Sequence, residues 1–558
     1  MIVIQPQYLS LAKLLAGRLF RIPEYQRAYS WTSVQRRDLF GDIQKVHEKG
    51  PDEGHFMAAV VCLRRGKQAL GTDEFDQVEI VDGQQRLTTL IILLNAIKLR
   101  LNVNDRGEQK LADEIGELLV KMEGDELLLL QTNHDSSHHF ALYLRNGTAE
   151  PSTTAKTTSD REILSAVEDC SQFVGSWTEK NGALPALAAL LKNRLFFLLH
   201  EINDEKMVYT VFEVLNSRGL AVSWLDRLKS MLMGSAFELP RANNKGLVED
   251  LHTTWRHIYS VVGLRQGLST EALRFAATLR MQESPSRPLG EQDSVALLRT
   301  IASDATGIRD VASWMLRVTK ACDSVTASTR INAVTAISQA RLLATAISLR
   351  EDISGKQREA LLARWEKVTF RIYGMLRNDA RTRVGDYVRL AWRVVNEGLS
   401  VQAISAAIGE IGREFTVERA TASLRKANCY EGWETELRYF MFRYEEHLAK
   451  VQKLNFRNEQ WERIWLVNPA ASIEHIWADS VATQSSRHRL GNLLLLPPRL
   501  NSTLQDDSPR EKVDAYRQTG LLIAREVADR IESAPWNGRA IEARENDLLE
   551  WASVEWSD

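Results

Sequence analysis

The stretch VEIVDGQQRLTTLIILLNAI, residues 78 to 97, constrains the fold more than any other part of the sequence. Its β-branched start predicts a strand, the Asp-Gly pair predicts a tight turn, and the long apolar segment that follows predicts a buried helix. The run HFMAAVVCLRR, residues 55 to 65, predicts another strand. The chain should therefore hold four polar residues side by side at the tip of a strand–turn–helix unit: Asp82, Gln84, Gln85 and Arg86.

A tip of this kind suits a phosphate group. Free backbone N–H groups and the positive end of the helix dipole meet at the helix start, and Arg86 can add a planar fork of donors to phosphate oxygens. Asp82 can hold a metal ion, orient a water or cap the helix, while Gln84 and Gln85 can donate to phosphate or read a base edge. The alternative interpretation is that Asp82 is a plain N-cap and Arg86 a surface residue.

Two further stretches favour a nucleotide over that alternative. RIPEYQRAYSW, residues 21 to 31, sets polar donors beside stacking aromatic rings after a proline-fixed turn, and this combination suits a nucleotide better than a core. VFEVLNSRGLAVSWLDRLKS, residues 211 to 230, predicts a helix, a turn and a second helix capped by Ser223, with Asp226 three residues on. The alternative for this stretch is a plain αα-hairpin with Gly219 in a left-handed turn.

The C-terminal part carries a second group of chemically capable residues. In IEHIWADS and GNLLLLPPRLN, the pair Glu474 and His475 is followed by Asn492 and then Asn501. Phosphodiester hydrolysis needs a base to activate water, which a histidine supplies, and a divalent cation to absorb charge on the leaving oxygen. Carboxylate and amide oxygens suit Mg²⁺. The spacing predicts a ββα-metal (HNH) module; the alternative is a core histidine beside chance asparagines. His488 is expected to be a solvated loop histidine rather than an accessory ligand.

The motifs IPxYQRxYxW, DGQQR and FExLNSRG…LxxxDxLKS, in this order, resemble the N-terminal domain of GmrSD-type restriction endonucleases over about residues 8 to 235. The segments EHI and GNLxLL, with a later Asn and Lys, resemble the C-terminal domain of the same family, which often has a Pro shortly after the histidine where this chain has Ile476-Trp477-Ala478. The resemblance implies a ParB/sulfiredoxin-like α/β domain whose DGQQR region binds and hydrolyses a nucleoside triphosphate.

The resemblance also assigns residues. The nucleotide-binding residues it implies are Gln26, Arg27, Asp82, Gly83, Gln84, Gln85, Arg86, Asn216 and Arg218, with Asp82 and Arg86 catalytic; Asp226 and Lys229 match the third motif without an assigned role. At the second site His475 is the general base, Asn492 orients the hairpin or the histidine, and Glu474 and Asn501 hold Mg²⁺ or Mn²⁺. The residues expected to contact DNA are Tyr29, Trp31, Lys512, Arg381 and Arg383.

The last two arginines come from a basic stretch. The net charge of −2 gives the whole chain no pull toward a polyanion, so a nucleic acid would have to meet local patches. Residues 364 to 393 carry eight basic and three acidic side chains, which makes them the candidate for DNA backbone contacts. The alternative is an amphipathic helix pair with a solvated basic face.

Length and periodicity predict the organisation. At 558 residues the chain is too long for one core, and we expect an α+β, predominantly helical protein. The expected parts are a ParB-like domain at 1–235, a helical linker region at 236–430 and an HNH nuclease domain at 431–558. No apolar run of about 18 residues predicts a membrane span, the first residues lack the pattern of a signal peptide, and the four cysteines are widely spaced. A bacterial cytoplasmic location is expected.

Together these features predict an NTP-regulated, modification-dependent DNA endonuclease or nickase of anti-phage defence. Its expected partners are double-stranded, modified phage DNA and a nucleoside triphosphate (GTP, ATP, CTP or UTP), with no membrane; a homodimer is compatible with the sequence. The alternative function is a nucleotide-switched DNA-binding protein with a non-catalytic C-terminal module. A third interpretation is an NTPase whose chemistry at Asp82 and Arg86 is the main output.

Overall fold

The described part of the chain is predominantly helical, with a small mixed sheet. The computed structural model describes residues 6–23, 26, 28–50, 53–70, 73–121, 127–128, 130–132, 137–202, 223–239, 246–327, 334, 337–456, 459–465, 468–478, 482, 486–504 and 506–558. The chain divides into two compact units. The first comprises Met1–Leu273 and Glu291–Thr319, and the second comprises Arg274–Gly290 and Lys320–Asp558.

The first unit is built on the mixed sheet. Its strands are β1 (Gln7–Ser10), β2 (Arg18–Ile22), β3 (His55–Leu70), β4 (Asp73–Asp82), β7 (Leu130–Thr132) and β8 (Leu195–Ile202), in the order β1-β8-β3-β4-β2-β7. Strands β5 (Val120–Lys121) and β6 (Leu127–Leu128) form a separate two-stranded sheet. The long β3–β4 pair is antiparallel, whereas β4 runs parallel to β2. The strands predicted at residues 55–65 and at the start of the stretch 78–97 are confirmed.

Helices pack with this sheet and supply much of the core. They are α1 (Leu11–Leu15), α2 (Ser33–Glu48), α3 (Gln84–Lys98), α4 (Arg106–Leu119), α5 (Ser137–Asn146), α6 (Thr158–Lys180) and α7 (Leu184–Arg194). Helix α3 packs against α4, α6 and α7, and apolar side chains such as Leu87, Ile91 and Leu94 are fully enclosed. The predicted buried helix is confirmed. Its sequence is apolar on all faces, without a polar side, because neighbouring helices enclose it.

Further helices follow along the chain. They are α8 (Trp224–Glu238), α9 (Leu247–Val262), α10 (Gln266–Thr278), α11 (Glu291–Ile301) and α12 (Ala305–Ala327).

The described residues of the second unit are helical apart from one small hairpin. Its helices are α13 (Ser338–Ser348), α14 (Gly355–Thr369), α15 (Val384–Asn396), α16 (Val401–Gly412), α17 (Val417–Leu424), α18 (Glu434–Val451), α19 (Glu459–Trp465), α20 (Pro498–Leu504), α21 (Val513–Gln518), α22 (Leu522–Ser533) and α23 (Gly538–Glu555), and the hairpin pairs β9 (Ile473–His475) with β10 (Leu493–Leu495). Aromatic rings hold the core together: Phe440 on α18 contacts Trp551 and Trp556.

These features confirm an α+β, mainly helical protein. The ParB-like and HNH modules remain predictions, as do the three domain ranges drawn from the sequence. The cysteines Cys62, Cys170, Cys322 and Cys429 are free and buried. In the part of the chain that the structure describes, every helix is too short or too polar to cross a membrane.

Candidate nucleotide and nuclease sites

The strand–turn–helix tip forms as its sequence predicts. Asp82 ends β4, Gly83 has φ of 96° and Gln84 begins α3. A Cβ on Gly83 would lie 3.1 Å from Val60 Cγ2 and 3.3 Å from the Ala59 carbonyl oxygen, so both backbone conformation and close packing require glycine here. Gly83 occupies the N-cap position of α3, which had been considered for Asp82.

Two of the predicted site glutamines fasten the preceding loop to this tip. Gln85 Oε1 accepts a hydrogen bond from the Ser30 N–H (2.8 Å), and its Nε2 donates to the Ala28 carbonyl (3.2 Å). Gln26 Nε2 donates to the Val81 carbonyl at 2.7 Å. The amide groups of both glutamines are thus engaged with backbone, which favours a role in shaping the site over direct contact with a ligand.

Tyr29 and Trp31 lie in the core of the first unit. Each is only 7% exposed, and Tyr29 OH lies 2.8 Å from Thr89 Oγ1. Burial raises the pKa of Tyr29. Both residues were expected to contact DNA; in the structure they instead belong to the hydrophobic core, because little of either ring surface is open.

Arg86 is the cation of the tip. Its guanidinium carbon lies 5.6 Å from the centroid of the Trp31 ring. Burial lowers the pKa of Arg86, while the carboxylates of Asp82 and Asp42 oppose that shift. A half-buried guanidinium in a medium of reduced dielectric interacts with an added anion more strongly than a solvated one does.

Part of the predicted nucleotide site lies outside the described residues, namely Arg27, Asn216 and Arg218. The described end of the third motif begins at Ser223, whose Oγ accepts from the Asp226 N–H at 3.1 Å; the predicted cap is confirmed. Lys229, in the same helix, is buried, with its Nζ 5.3 Å from the ring centroid of Tyr259.

The second candidate site is the β9–β10 hairpin. In its antiparallel register, His475 pairs with Leu493 and Glu474 with Leu494. Helix α20 follows the hairpin, and Asn501 on it donates from Nδ2 to the carbonyls of Ala471 (3.1 Å) and Ile473 (3.0 Å). The predicted order of strand, strand and helix is therefore present.

Asn492 lies in the short 3₁₀ turn immediately before β10 rather than in the strand itself. Its buried side chain accepts from the Trp477 N–H (2.9 Å) and donates to the carbonyls of Trp477 (3.1 Å) and Arg487 (2.9 Å). These contacts join the residues after β9 to those before β10. The geometry is that of a side chain that orients the hairpin.

Glu474 is buried beside a cation. Lys512 Nζ lies 2.7 Å from Glu474 Oε1, Tyr516 OH donates to the same oxygen at 2.9 Å, and Lys512 also donates to the His475 carbonyl at 3.0 Å. Burial raises the pKa of Glu474 and the Lys512 ammonium opposes the shift. Lys512 was expected to approach a DNA phosphate, but it is fully buried and instead serves as the counter-ion of Glu474.

Sequence reasoning missed two neighbours of His475. His488 Nδ1 lies 3.1 Å from His475 Nε2, so His488 is not the solvated loop histidine that was expected. The ring of Tyr430 packs on both imidazoles. Tyr430 precedes α18 and no spacing rule connects it to the hairpin; only the tertiary fold brings it there.

The basic stretch 364–393 is largely neutralised by its own surroundings. Arg371 is buried and bonds Asp558 Oδ1 at 2.7 Å. Arg383 pairs with Asp386 and with Glu414. Arg381, in contrast, is exposed, which makes it the better placed of the two arginines expected to contact DNA.

Two family models match this chain. The GmrSD restriction endonuclease N-terminal domain matches residues 11–233 and includes the tip. The GmrSD restriction endonucleases C-terminal domain matches residues 415–551 and includes the hairpin. These two matches place the chain in the class of restriction endonucleases. It belongs to the GmrSD family, whose two domains together span most of its length. No curated protein matches the chain.

Proposed function

We propose that this chain is an NTP-regulated, modification-dependent DNA endonuclease or nickase that acts in anti-phage defence. His475 activates the water that attacks the phosphodiester bond, and a divalent cation is held by Glu474 and Asn501. The tip around Asp82 and Arg86 binds and hydrolyses a nucleoside triphosphate. Double-stranded phage DNA carrying a modification is the substrate class, and membership of a restriction endonuclease family supports it.

The convergence of predicted residues on strand β9 carries the nuclease proposal. Asn501 bonds the carbonyl of Ile473, and Lys512 bonds the carboxylate of Glu474 and the carbonyl of His475. Asn492 bonds the backbone just past the strand. Side chains from distant parts of the sequence thus fix the three consecutive residues of strand β9. Preorganisation of a general base and its neighbours requires fixed positions of this kind.

The donors at the hairpin fit a hard divalent cation. Glu474 receives its hydrogen bonds from described residues at Oε1, and Asn501 uses Nδ2 for its two carbonyls. Glu474 Oε2 and Asn501 Oδ1 are the oxygens that remain for metal binding. Mg²⁺ and Mn²⁺ accept a site of this kind, with few protein oxygens and several waters. The cation, when bound, would offset the negative charge that develops on phosphate oxygens.

The chain's own residues supply the rest of the chemistry. His475 takes a proton from water as that water attacks phosphorus. Asn492 keeps the connection between the strands in place, and Lys512 offsets part of the cost of burying the Glu474 carboxylate.

At the tip, the positive end of the α3 dipole and the half-buried Arg86 guanidinium are the groups that would attract phosphate oxygens. Gln26 and Gln85 hold the loop that frames them. To act as a useful gate on the nuclease, the nucleotide must bind one state of the enzyme a few kcal/mol more tightly than the other. Such a gate suits an enzyme whose unrestrained activity would damage the host's own DNA.

One observation favours a second candidate, a nucleotide-switched DNA-binding protein with a non-catalytic C-terminal module. The carboxylate of Glu474 is already paired with Lys512 at 2.7 Å, so the ammonium competes with a metal ion for the same group.

Plasmid nicking distinguishes the two candidates. Wild type, His475→Ala and the control His257→Ala, which replaces an exposed histidine on α9, are incubated with modified or unmodified phage DNA, with Mg²⁺ or Mn²⁺ and each NTP in turn. We expect His475→Ala alone to lose at least about 100-fold in rate. Equal activity of wild type and His475→Ala under every condition would refute the nuclease mechanism and favour the binding protein.

A further inference from the structure

The hairpin that carries His475 is too small to hold its geometry by itself. Strands β9 and β10 form a sheet of two strands with three residues each, and an isolated two-stranded hairpin is marginally stable in water. The positions of its side chains therefore depend on the elements that pack against it. Helix α23 is one of these elements, and the turn before β10 lies directly on it.

Gly491 shows how closely this turn approaches the helix. A Cβ on Gly491 would lie 2.0 Å from the Ile541 carbonyl oxygen and 3.0 Å from the Glu545 backbone nitrogen, so only glycine fits between the two backbones. The next residue, Asn492, is the one whose side chain joins the residues after β9 to those before β10. Helix α23 thus contacts the chain within one residue of the side chain that orients the hairpin.

Arg544, on α23, fastens the same turn. Its side chain is fully buried, and its Nη1 donates to the carbonyls of Gly491 (2.9 Å) and Leu493 (2.8 Å). The carbonyl between them, that of Asn492, accepts instead from the Ile476 N–H at 2.9 Å. The backbone around Asn492 is therefore held on one side by α23 and on the other side by the segment that follows β9.

Glu545, the next residue on α23, holds the start of the same segment. It is fully buried, and its Oε2 accepts from Arg489 Nε at 2.6 Å while its Oε1 accepts from the Lys426 N–H at 2.7 Å. Two adjacent charged side chains of one helix thus both bond to residues 489–493.

Stability alone does not account for a guanidinium at position 544. Burial lowers the pKa of Arg544, which reflects the free energy that the charged form loses when it leaves water. An apolar side chain of similar size would avoid that loss, and replacement of buried charges by apolar residues is often neutral or stabilising. What an apolar side chain lacks is the pair of directed hydrogen bonds to the carbonyls on either side of Asn492.

We propose that Arg544 is a positioning residue of the nuclease site, which fixes the backbone on both sides of Asn492 and, through it, the strand that carries His475. The inference rests on the proposed nuclease function. Glu545 supports the same role through its bond to Arg489. Both side chains act through the backbone rather than on the reacting atoms. They keep the general base in place, and a displacement of about 1 Å is enough to slow a reaction by about 100-fold.

The test compares Arg544→Met with Arg443→Met in steady-state DNA cleavage. Arg443 provides a matched control, because it lies on α18 of the same unit, its side chain is only 13% exposed, and it pairs with Glu446 and Glu555. We expect Arg544→Met to lower kcat by about 10- to 100-fold, with KM unchanged and little change in the urea unfolding curve. Arg443→Met should lose stability and keep the kcat of wild type. A wild-type kcat in folded Arg544→Met overturns the inference, and so does an equal fall in kcat in both variants.

Hydrogen exchange measures the positioning without reference to activity. The Ile476 N–H bonds to the Asn492 carbonyl, and the Trp477 N–H bonds to the Asn492 side chain. By mass spectrometry of peptides that contain both amides, we expect faster exchange in Arg544→Met than in wild type and unchanged exchange in Arg443→Met. Equal protection of these amides in Arg544→Met and wild type contradicts the inference.

Glu545→Gln provides the readout if Arg544→Met does not fold. Glutamine keeps the length of the side chain and an acceptor for the Lys426 N–H, but it removes the charge that faces Arg489. We expect Glu545→Gln to lower kcat by about 10-fold and to speed exchange of the same two amides. If both stay as in wild type, α23 does not position the site.

The outcomes separate this inference from the nuclease proposal. If His475→Ala is inactive while folded Arg544→Met cleaves like wild type, the role of Arg544 is refuted and the nuclease proposal stands. If His475→Ala cleaves like wild type, the nuclease mechanism is wrong, and the positioning role falls with it.

Discussion

Lys512 Nζ lies 2.7 Å from Glu474 Oε1, and both side chains are buried beneath the β9–β10 hairpin. The sequence suggested different tasks for them, a phosphate contact and a metal ligand. Their pairing means that the Lys512 ammonium offsets part of the free-energy cost of removing the Glu474 carboxylate from water.

Removal of the ammonium should destabilise the second unit. Lys512→Met leaves the Glu474 carboxylate buried without its counter-ion, and we expect a loss of about 3–5 kcal/mol in unfolding free energy, measured by urea denaturation. Lys67→Met, which breaks the exposed pair with Glu74, serves as the control and should leave stability unchanged. Similar curves for both variants would show that the buried pair adds nothing to stability.

A second buried acid makes stability depend on pH. Glu445 accepts from the Leu522 and Ile523 N–H groups, and burial raises the pKa of Glu445 to about 7. The pKa of Glu445 in the folded chain lies above the unfolded value of about 4.3, so the folded chain favours the protonated carboxyl. The stability that this preference contributes is fully present below a pH of about 4.3 and is lost as the pH rises through about 7.

Glu445→Gln removes the titration. We expect the stability of wild type to fall relative to this variant by roughly 3 kcal/mol between pH 4 and pH 8, as measured by urea unfolding at both pH values. A difference between the two proteins that stays constant with pH would mean that Glu445 has the same pKa in the folded and the unfolded chain.

Gly83→Ala should distort the tip. Gly50 provides a matched control because its φ is 95°, against 96° for Gly83, while a Cβ on Gly50 meets no described atom within 4 Å. Both alanine variants carry the cost of the left-handed conformation, about 1–3 kcal/mol. Only Gly83→Ala adds close approaches to Val60 and the Ala59 carbonyl. Equal destabilisation in thermal melts would show that close packing at Gly83 is unimportant.

Arg86→Ala should weaken nucleotide binding without unfolding the chain. The loss of a charged donor to phosphate costs about 1.5–3 kcal/mol, so calorimetry should report a Kd raised by about 10- to 100-fold, with slower NTP turnover. Arg37→Ala, which replaces an exposed arginine on α2, should bind like wild type. An unchanged affinity in Arg86→Ala would place the nucleotide elsewhere.

Neutralising Arg381 and Arg383 should flatten the salt dependence of DNA binding. For each DNA phosphate that the protein no longer neutralises, the slope of log K against log salt becomes shallower by about 0.9. Because Arg383 is already paired with Asp386 and Glu414, we expect Arg381→Gln to account for most of the change. A slope that is unchanged in the double variant would assign DNA backbone binding to another surface.

The two sites differ in how much of their structure could be predicted from the sequence. At the tip, local rules were sufficient: β-branched residues, an Asp-Gly pair and an apolar run predicted β4, the turn and α3, since such patterns act over neighbouring residues. What local rules could not assign was the use of each side chain. Gln26 and Gln85 bond backbone groups from another segment, and only the folded chain shows which hydrogen bonds those amides make.

At the hairpin, the sequence by itself determined the chemistry available: an acid–histidine pair, two asparagines and two short apolar strands followed by a helix. The tertiary structure decided the environment of that chemistry. It buried Lys512 against Glu474, set His488 against His475 and brought Tyr430 from before α18 to cover both rings. Burial and long-range proximity arise from packing of the whole unit, and a linear pattern of residue types does not encode them position by position.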